Sequence, residues 1–206
     1  MATLVTSDNH FLHTRLVTLD PTRRKLLYKG LSGNDIDELM IKEWNAKVND
    51  NDLIVNLGDF AYWGRNSNLC IDKCQAIFNR LNGRKILVVG NHEYEDVKKF
   101  KWESVIEQLV LDVNGIKILC RHYPLYDPLP KGIYGVFHGH IHTGWTESLI
   151  AAGEDADIPS FNLNCCVEAT DFKPLYAEEA LEKLNKQLQA AGWWPWNGGP
   201  NPLREK

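Results

Sequence analysis

Residues 53–59 of the chain read Leu-Ile-Val-Asn-Leu-Gly-Asp, an apolar run that ends in a glycine and a carboxylate. Four further apolar runs, residues 2–6, 85–89, 116–120 and 133–137, also end in short polar segments, and we predict all five runs to be β-strands. The four segments are Ser7-Asp8-Asn9-His10, Gly90-Asn91-His92-Glu93, Arg121-His122 and His138-Gly139-His140-Ile141-His142. Because open α/β sheets bind ligands beyond the carboxyl ends of their strands, we expect the five segments to meet in one site.

The side chains of these segments indicate a metal site, since Asp, Asn and His supply oxygen and nitrogen ligands to hard or borderline divalent metals. Asp8 and His10 stand two apart and can grip one cation together. Asp59 has two carboxylate oxygens, enough to bridge two cations about 3.5–4 Å apart. The remaining donors are Asn91, His122, His140 and His142. One such segment alone is more often an ordinary polar strand end, so the interpretation depends on all five occurring in order.

The ordered set Asp-x-His, Gly-Asp, Gly-Asn-His-Glu, a His after a strand and Gly-His-x-His resembles the calcineurin-like metallophosphoesterase superfamily over residues 1 to about 170. The resemblance implies a fold of the α/β (α+β) class, an α/β/β/α sandwich of two mixed β-sheets with helices on the outer faces. It implies that Asp59 bridges two metals and that His92 is the proton donor to the leaving group. The ligands of one metal would be Asp8, His10 and His142, and those of the other Asn91, His122 and His140.

Two segments narrow the resemblance within the superfamily. Residues 7–13, Ser-Asp-Asn-His-Phe-Leu-His, and residues 118–125 are similar to small bacterial and phage-type members. Gly58-Asp59-Phe60 lacks the Asp-Arg-Gly continuation of Ser/Thr protein phosphatases, so that activity is not expected.

The predicted function is a metal-dependent phosphoesterase that hydrolyses a phosphate ester, a small phosphodiester or a nucleotide. A hydroxide bridging the two metals would attack phosphorus in line while His92 protonates the departing alkoxide. We expect two divalent metal ions, with Mn²⁺ first and Fe or Zn²⁺ as alternatives, because mixed oxygen and nitrogen ligands select weakly among them.

Two other functions stay open at this point. A nuclease would use the same motifs, but the net charge of −4 and the absence of an obvious DNA-capping domain disfavour long nucleic acid as partner. A non-catalytic interaction scaffold on the same fold would be expected to have lost ligands, whereas every ligand position here is filled.

Composition favours one soluble globular domain over residues 1–192, followed by a Trp/Pro/Gly-rich tail at 193–206 that packs on it or trails from it. Of the 206 residues, 44% are apolar and 24% charged. No apolar run approaches the ~20 residues needed to span a bilayer, and no secretory signal is visible, so we expect a cytoplasmic protein. The five cysteines show no CxxC spacing and are predicted to be reduced packing residues.

Between the strands, apolar spacing predicts helices at residues 35–48 (with Asn34 as N-cap), 69–81 and 177–191. Residues 95–108 are predicted to form one broken helix, Asn114-Gly115 a hairpin turn, and residues 160–169 a strand.

The segment 14–34 is predicted to be a long loop, and loops of this length are often lids. Its basic residues Arg23, Arg24 and Lys25 could bind a substrate phosphate or simply form a solvated turn. His13 could touch substrate, support His10 or lie on the surface. His138 could orient His140 or be buried in the core.

Overall fold

Two β-sheets carry the strand ends on which the candidate site depends. The computed structural model describes residues 1–64, 68–142 and 161–191. The strands are β1 (Thr3–Thr6), β2 (Leu53–Asn56), β3 (Arg84–Val88), β4 (Ser104–Ile106), β5 (Gln108–Val113), β6 (Ile116–Arg121), β7 (Gly135–His138), β8 (Asn162–Asn164) and β9 (Leu175–Tyr176). The helices are α1 (Leu16–Leu19), α2 (Pro21–Tyr28), α3 (Gly33–Lys47), α4 (Asn68–Arg80), α5 (Glu95–Lys98) and α6 (Ala177–Ala190).

The first sheet has the strand order β4-β3-β2-β1-β9, with β1 to β4 parallel and β9 antiparallel to β1. The second has the order β5-β6-β7-β8, in which β5 and β6 form an antiparallel hairpin and β6, β7 and β8 run parallel. Both sheets are therefore mixed, which confirms the predicted fold of two mixed sheets with helices.

Alternation along the first sheet builds two apolar layers, because successive side chains of a strand point to opposite faces. Leu4 and Ile54 pack in one layer with the helical residues Met40 and Trp44 of α3. Val5 and its neighbours pack in the other layer, with the second sheet and α6. The parallel strands are thus buried on both faces, as their near-continuous apolar sequences indicate.

The segment 14–34 is not the predicted long loop but contains α1 and α2. Asp20 is the N-cap of α2, and its carboxylate accepts hydrogen bonds from the backbone N–H groups of Thr22 (2.8 Å) and Arg23 (2.9 Å). Pro21 stands in the first turn, where its missing N–H is no loss. The Asp-Pro pair therefore starts a helix here instead of marking a loop.

Three other element predictions need correction. Helix α3 begins after Ser32, whose hydroxyl accepts from the N–H of Asp35 in a capping box, so Asn34 is not the N-cap. Of residues 95–108 only the short α5 is helical, because residues 104–106 pair in parallel with β3. Of residues 160–169 only β8 is strand, and Val167–Thr170 form a 3₁₀ turn.

The remaining elements agree with the sequence. Helices α3, α4 and α6 cover the predicted positions to within two residues, and the β5–β6 hairpin turns at Asn114-Gly115. All five cysteines are free. None of the helices that the structure describes is long and apolar enough to cross a membrane. The predicted tail at 193–206 lies outside the described residues.

Candidate metal centre

The polar segments after five parallel strands meet at one edge of the two sheets. The loops after β1 and β2 lie side by side, because the N–H of Asp8 donates to Gly58 O (2.9 Å) and that of His10 to Asp59 O (3.0 Å). In the second sheet the N–H of Gly139 donates to His122 O (2.9 Å). Backbone pairing thus continues past the strands and sets the positions of the side chains between them.

Three predicted ligands, Asp8, His10 and His142, form an inner group. Asp8 Oδ1 lies 3.7 Å from His10 Nε2 and 3.6 Å from His142 Nε2. All three residues are buried, and one donor atom from each lies within 4.8 Å of the others. These separations exceed hydrogen-bond length and approach the spacing of about 3.4 Å between ligand atoms placed tetrahedrally about 2.1 Å from a cation.

The two oxygens of the Asp8 carboxylate have different surroundings. Its Oδ2 accepts hydrogen bonds from the Ser7 hydroxyl (2.5 Å), the His140 N–H (2.8 Å) and the Cys166 thiol (3.2 Å). Its Oδ1 is buried without a hydrogen-bond partner. An ionised oxygen left unpaired in the interior is costly, so this atom fits a cation-binding position.

Asn91, His122 and His140 form an outer group on the other side of Asp59. Asn91 Oδ1 lies 2.8 Å from His122 Nε2 and 2.9 Å from His140 Nδ1. Asp59 Oδ2 lies 3.5 Å from His10 Nε2 and 3.7 Å from His122 Nε2. One carboxylate oxygen of Asp59 therefore faces both groups.

Outer contacts fix the orientation of two imidazoles. His122 Nδ1 lies 2.8 Å from the carbonyl oxygen of Leu57, and His142 Nδ1 lies 2.9 Å from Glu168 Oε2. With the proton on Nδ1 facing an acceptor, the Nε2 lone pair of His142 is left for a metal, and His122 Nε2 lies beside Asn91 Oδ1, another donor of the outer group. The donor set thus fits divalent cations in chemistry as well as in spacing.

Glu168 is a residue of this site that the sequence did not reveal. It is buried on the 3₁₀ turn after β8, and its other oxygen, Oε1, accepts from Arg23 Nε at 2.5 Å. The available signal was an acidic residue shortly after a strand, the same pattern as in the other segments. Asp20 completes a further group of possible ligands with His142 and Glu168, but Arg23 already supplies the positive charge there.

Arg23 differs from both expectations for the basic cluster, a phosphate-binding lid and a solvated turn. Its side chain is buried, and its guanidinium donates to the carbonyl oxygens of Asp8 (3.1 Å) and Asn9 (3.0 Å) besides Glu168. It therefore braces the first metal segment from beneath and does not face a substrate. Arg24 donates to the carbonyl oxygens of Thr18 (3.1 Å) and Leu19 (3.3 Å), so it closes the α1–α2 turn.

Burial and neighbouring charge compete at these groups. Burial would raise the pKa of Asp8, but the imidazoles of His10, His142 and His122 outweigh it and lower that pKa, so the carboxylate stays ionised. Burial would lower the pKa of His142, yet Glu168 and Asp8 raise it to about 9. For Glu168, burial is outweighed by Arg23 and His142, which lower its pKa to about 2. For His10 and His140 burial prevails and lowers the pKa.

The backbone of the centre is held in an unusual conformation. Positive φ angles occur at five of the seven ligand candidates, a region that non-glycine residues seldom enter. They are Asp8 (55°), His10 (47°), Asp59 (54°), His140 (73°) and His142 (41°). Such strain concentrates at functional sites, where the surrounding structure over-determines it.

Glycines permit the close approach of the segments. A Cβ at Gly90 would collide with the Asp59 carboxylate, and one at Gly139 would collide with Ser7 and Asp8. The Gly of Gly-Asn-His-Glu and of Gly-His-x-His therefore has a steric role: it makes room for the carboxylates of neighbouring segments.

Glu93, the last residue of the third segment, braces the bridging position. Its carboxylate accepts from the N–H groups of Asp59 (2.9 Å), Phe60 (3.0 Å) and Gly90 (3.1 Å). Burial raises the pKa of Glu93 to about 7. Three backbone donors on one carboxylate lock the loops after β2 and β3 together.

The other predicted residues lie around the centre. His92 is exposed, and its ring centroid is 5.8 Å from that of His10. Its backbone N–H donates to Asp59 Oδ1 (2.8 Å). His13 lies beside it with its ring 4.4 Å from Tyr62, and burial lowers its pKa to about 3. His138 is fully buried with Nδ1 2.7 Å from Gly139 O, so the core interpretation of this residue is correct.

The chain is also similar to known proteins. The sequence model of the calcineurin-like phosphoesterases matches residues 1–205. The uncharacterised protein MJ1445 of Methanocaldococcus jannaschii is 24% identical over 186 residues, which cover 87% of this chain and 89% of that protein.

Two solved structures are also similar. The protein of unknown function AQ665 from Aquifex aeolicus has a TM-score of 0.64 at 24% identity, over 89% of this chain and 98% of that one, and it supports the fold. The E. coli phosphoesterase YfcE has a TM-score of 0.36 at 17% identity, over 69% of this chain and 70% of that one, too slight a likeness for an argument. On its match to the family over nearly its whole length, the chain belongs to the calcineurin-like phosphoesterases.

Proposed function

We propose that the protein hydrolyses a phosphate ester, a small phosphodiester or a nucleotide, with two divalent cations and with His92 as general acid. Family membership supports metal-dependent phosphoester hydrolysis in general. The observation that carries the finer proposal is the unpartnered Oδ1 of Asp8 in the buried inner group. Beside it, Asp59 Oδ2 lies 3.5 Å from His10 Nε2 of the inner group and 3.7 Å from His122 Nε2 of the outer group.

The chain would hold the cations through the inner and outer groups, with Asp59 between them. When bound, two cations supply Lewis acidity, lower the pKa of water to about 7 and neutralise charge on the phosphoryl oxygens. We expect Mn²⁺, with Fe or Zn²⁺ as alternatives, because the donor set does not discriminate sharply among them.

The position of His92 supports its proposed role as proton donor to the leaving group. Its exposed ring lies next to His10, and its backbone is tied to Asp59, so the side chain can reach solvent and centre alike. A side chain in this position can donate to the departing oxygen as the ester bond breaks.

The first experiment loads the protein with Mn²⁺ and measures hydrolysis of bis-p-nitrophenyl phosphate, p-nitrophenyl phosphate and a panel of nucleotides. Turnover of small esters in preference to DNA supports the proposal. Turnover of DNA alone would make the protein a nuclease, and cation binding with no turnover would make it a scaffold.

The role of His92 is tested by leaving groups of different acidity. His92→Asn should keep both cations but lose roughly 10²–10⁴-fold in rate on alkyl esters. The loss should shrink for p-nitrophenyl esters, whose leaving group departs without a proton. Equal losses on both kinds of ester, or loss of cations, would contradict the assignment.

A further inference from the structure

A cavity of about 400 Å³ opens beside His92, and neither Asn91 nor His140 lines it. Its lining includes Leu12, Leu19, Tyr62, Trp63 and Arg15. Ligand pockets in proteins are concave, chiefly apolar and about 300–1,000 Å³ in volume, and this cavity falls in that range.

The aromatic wall is held in place before any ligand arrives. The indole of Trp63 stacks on the ring of Tyr94 at 4.0 Å with an interplanar angle of 8°. The backbone N–H of Trp63 donates to the Tyr94 hydroxyl (3.2 Å), which in turn donates to Gly64 O (3.0 Å). A ring fixed in this way loses little conformational freedom when a ligand packs on it.

The cavity lining also contains a strained residue. Leu12 has a φ of 69°, and its N–H donates to the buried carboxylate of Asp37 at 3.0 Å. A leucine gains nothing locally from this backbone region, so the surrounding structure imposes it. Strain of this kind concentrates at ligand contacts, and here it sets an apolar side chain at the cavity.

His92 connects the cavity to the chemistry, since it lines the cavity and also lies next to the metal centre. As the proposed donor to the leaving group, it marks this side as the one on which the departing alcohol sits. The cavity would therefore bind the leaving group and not the phosphoryl group, an inference that rests on the proposed function.

We propose that the cavity holds a nucleoside as the departing alcohol, with its base against Trp63 and Tyr62. The aromatic rings suit a planar base, while Thr14 and His13, whose Nδ1 has no hydrogen-bond partner among the described residues, offer polar contacts to a sugar. A fatty alcohol would leave those polar groups unpaired, and a small polyol such as glycerol would leave the aromatic wall uncovered.

The primary test measures binding of the leaving group itself, which needs no turnover. Calorimetric titration of the metal-loaded protein with adenosine and with ribose should show that adenosine binds more tightly. Trp63→Ala should weaken adenosine binding by about 5- to 100-fold, the loss expected for one base–aromatic stack, and Trp63→Phe should restore much of it. Tyr28→Ala, at a ring that is 80% exposed and does not line the cavity, is the matched control and should change nothing.

A second variant guards against misfolding of Trp63→Ala. Leu19 is 56% exposed, so Leu19→Trp should fold normally while its larger ring narrows the cavity and weakens adenosine binding. Adenosine binding no tighter than ribose, or insensitive to both cavity variants, would overturn the proposal.

Activity separates this proposal from the one on which it rests. Adenosine binding that follows the cavity variants, without hydrolysis of any ester, would support the cavity and contradict the phosphoesterase. Hydrolysis of nucleoside and glycerol phosphates at equal kcat/KM would support the phosphoesterase and contradict the cavity.

Discussion

The inner and outer groups of the centre consist of similar residues but differ in their surroundings. Asp8, His10 and His142 are at most 5% exposed, whereas Asn91 is exposed and His140 half-buried. Behind the inner group stand Glu168 and Arg23. Because low dielectric strengthens a cation's attraction to its ligands, we expect the inner position to bind more tightly and the outer position to exchange with solvent.

The largest effect should come from the residue that both groups share. Asp59→Asn should lose most of both cations and at least about 10³-fold in rate, because one neutral oxygen cannot bridge two cations. His140→Ala should lose the outer cation alone. Metal analysis after dialysis gives the stoichiometry, with Asp96→Asn, at an exposed carboxylate on α5, as control.

A stoichiometry of one cation per chain in the parent protein would contradict the assignment of one cation to each group. Loss of the inner cation in His140→Ala would reverse the order of affinity.

The two adjacent arginines offer a matched pair. Arg23→Ala should lower the free energy of unfolding by about 3–5 kcal/mol, because it removes the guanidinium that pairs with the buried Glu168 carboxylate. Arg24→Ala should cost less than about 1 kcal/mol, since its contacts are with exposed carbonyls. Urea unfolding of both variants measures the difference, and similar losses would show that Arg23 does not support the inner group.

Glu168 tests whether support from behind affects cation affinity. Glu168→Gln keeps the size of the side chain but weakens the acceptor for His142 Nδ1, so the inner cation should bind about 10–100-fold more weakly. Competition with a chelating dye measures this. Unchanged affinity at the inner position would limit Glu168 to a role in folding.

The smallest effect concerns the pH dependence of the cation-free protein. The pKa of Glu168 is lowered to about 2 from 4.5, so its contribution to stability is full above 4.5 and lost as the pH falls toward 2. The pKa of His142 is raised to about 9 from 6.5, so its contribution is full below 6.5 and lost as the pH rises through 9.

The stability difference between the parent and Glu168→Gln should therefore be greatest between pH 4.5 and 6.5. It should shrink by about 1–2 kcal/mol by pH 9.5, because Asp8 supplies part of the His142 shift. Urea unfolding in a chelator at pH 5.5 and 9.5 checks this, and a constant difference would argue against the Glu168–His142 pair.

The convergence of the candidate ligands could be predicted because each depends on local sequence: a strand followed by a polar donor, repeated along parallel strands. The pairing of Arg23 with Glu168 could not be predicted in this way, because 145 positions separate them and neither lies in a recognisable motif. The cavity wall is equally non-local, since Leu12 and Trp63 come from different strand ends.

The wrong predictions of secondary structure had a different origin. Asp20-Pro21 fits both a turn and a helix start, and only the burial of Arg23 on α2 decides between them. Residues 104–106 become a strand through pairing with β3, a tertiary contact that overrides local preference. These regions differ from the metal segments in that partners elsewhere in the chain determine their conformation.

The origin of the ligands has a mechanical consequence. Asp8 and Asn91 follow strands of the first sheet, while His142 and His140 follow a strand of the second, so each cation would link the two sheets. Asp8 and His142 of the inner group stand 134 positions apart, so the loop that the inner cation would close is long and hard to form in the unfolded chain. Removal of the cations by a chelator should therefore first loosen the edge of the two sheets that carries the metal centre. Amide protection at the ends of β1 and β7 should fall before that of α3, which contributes no ligand.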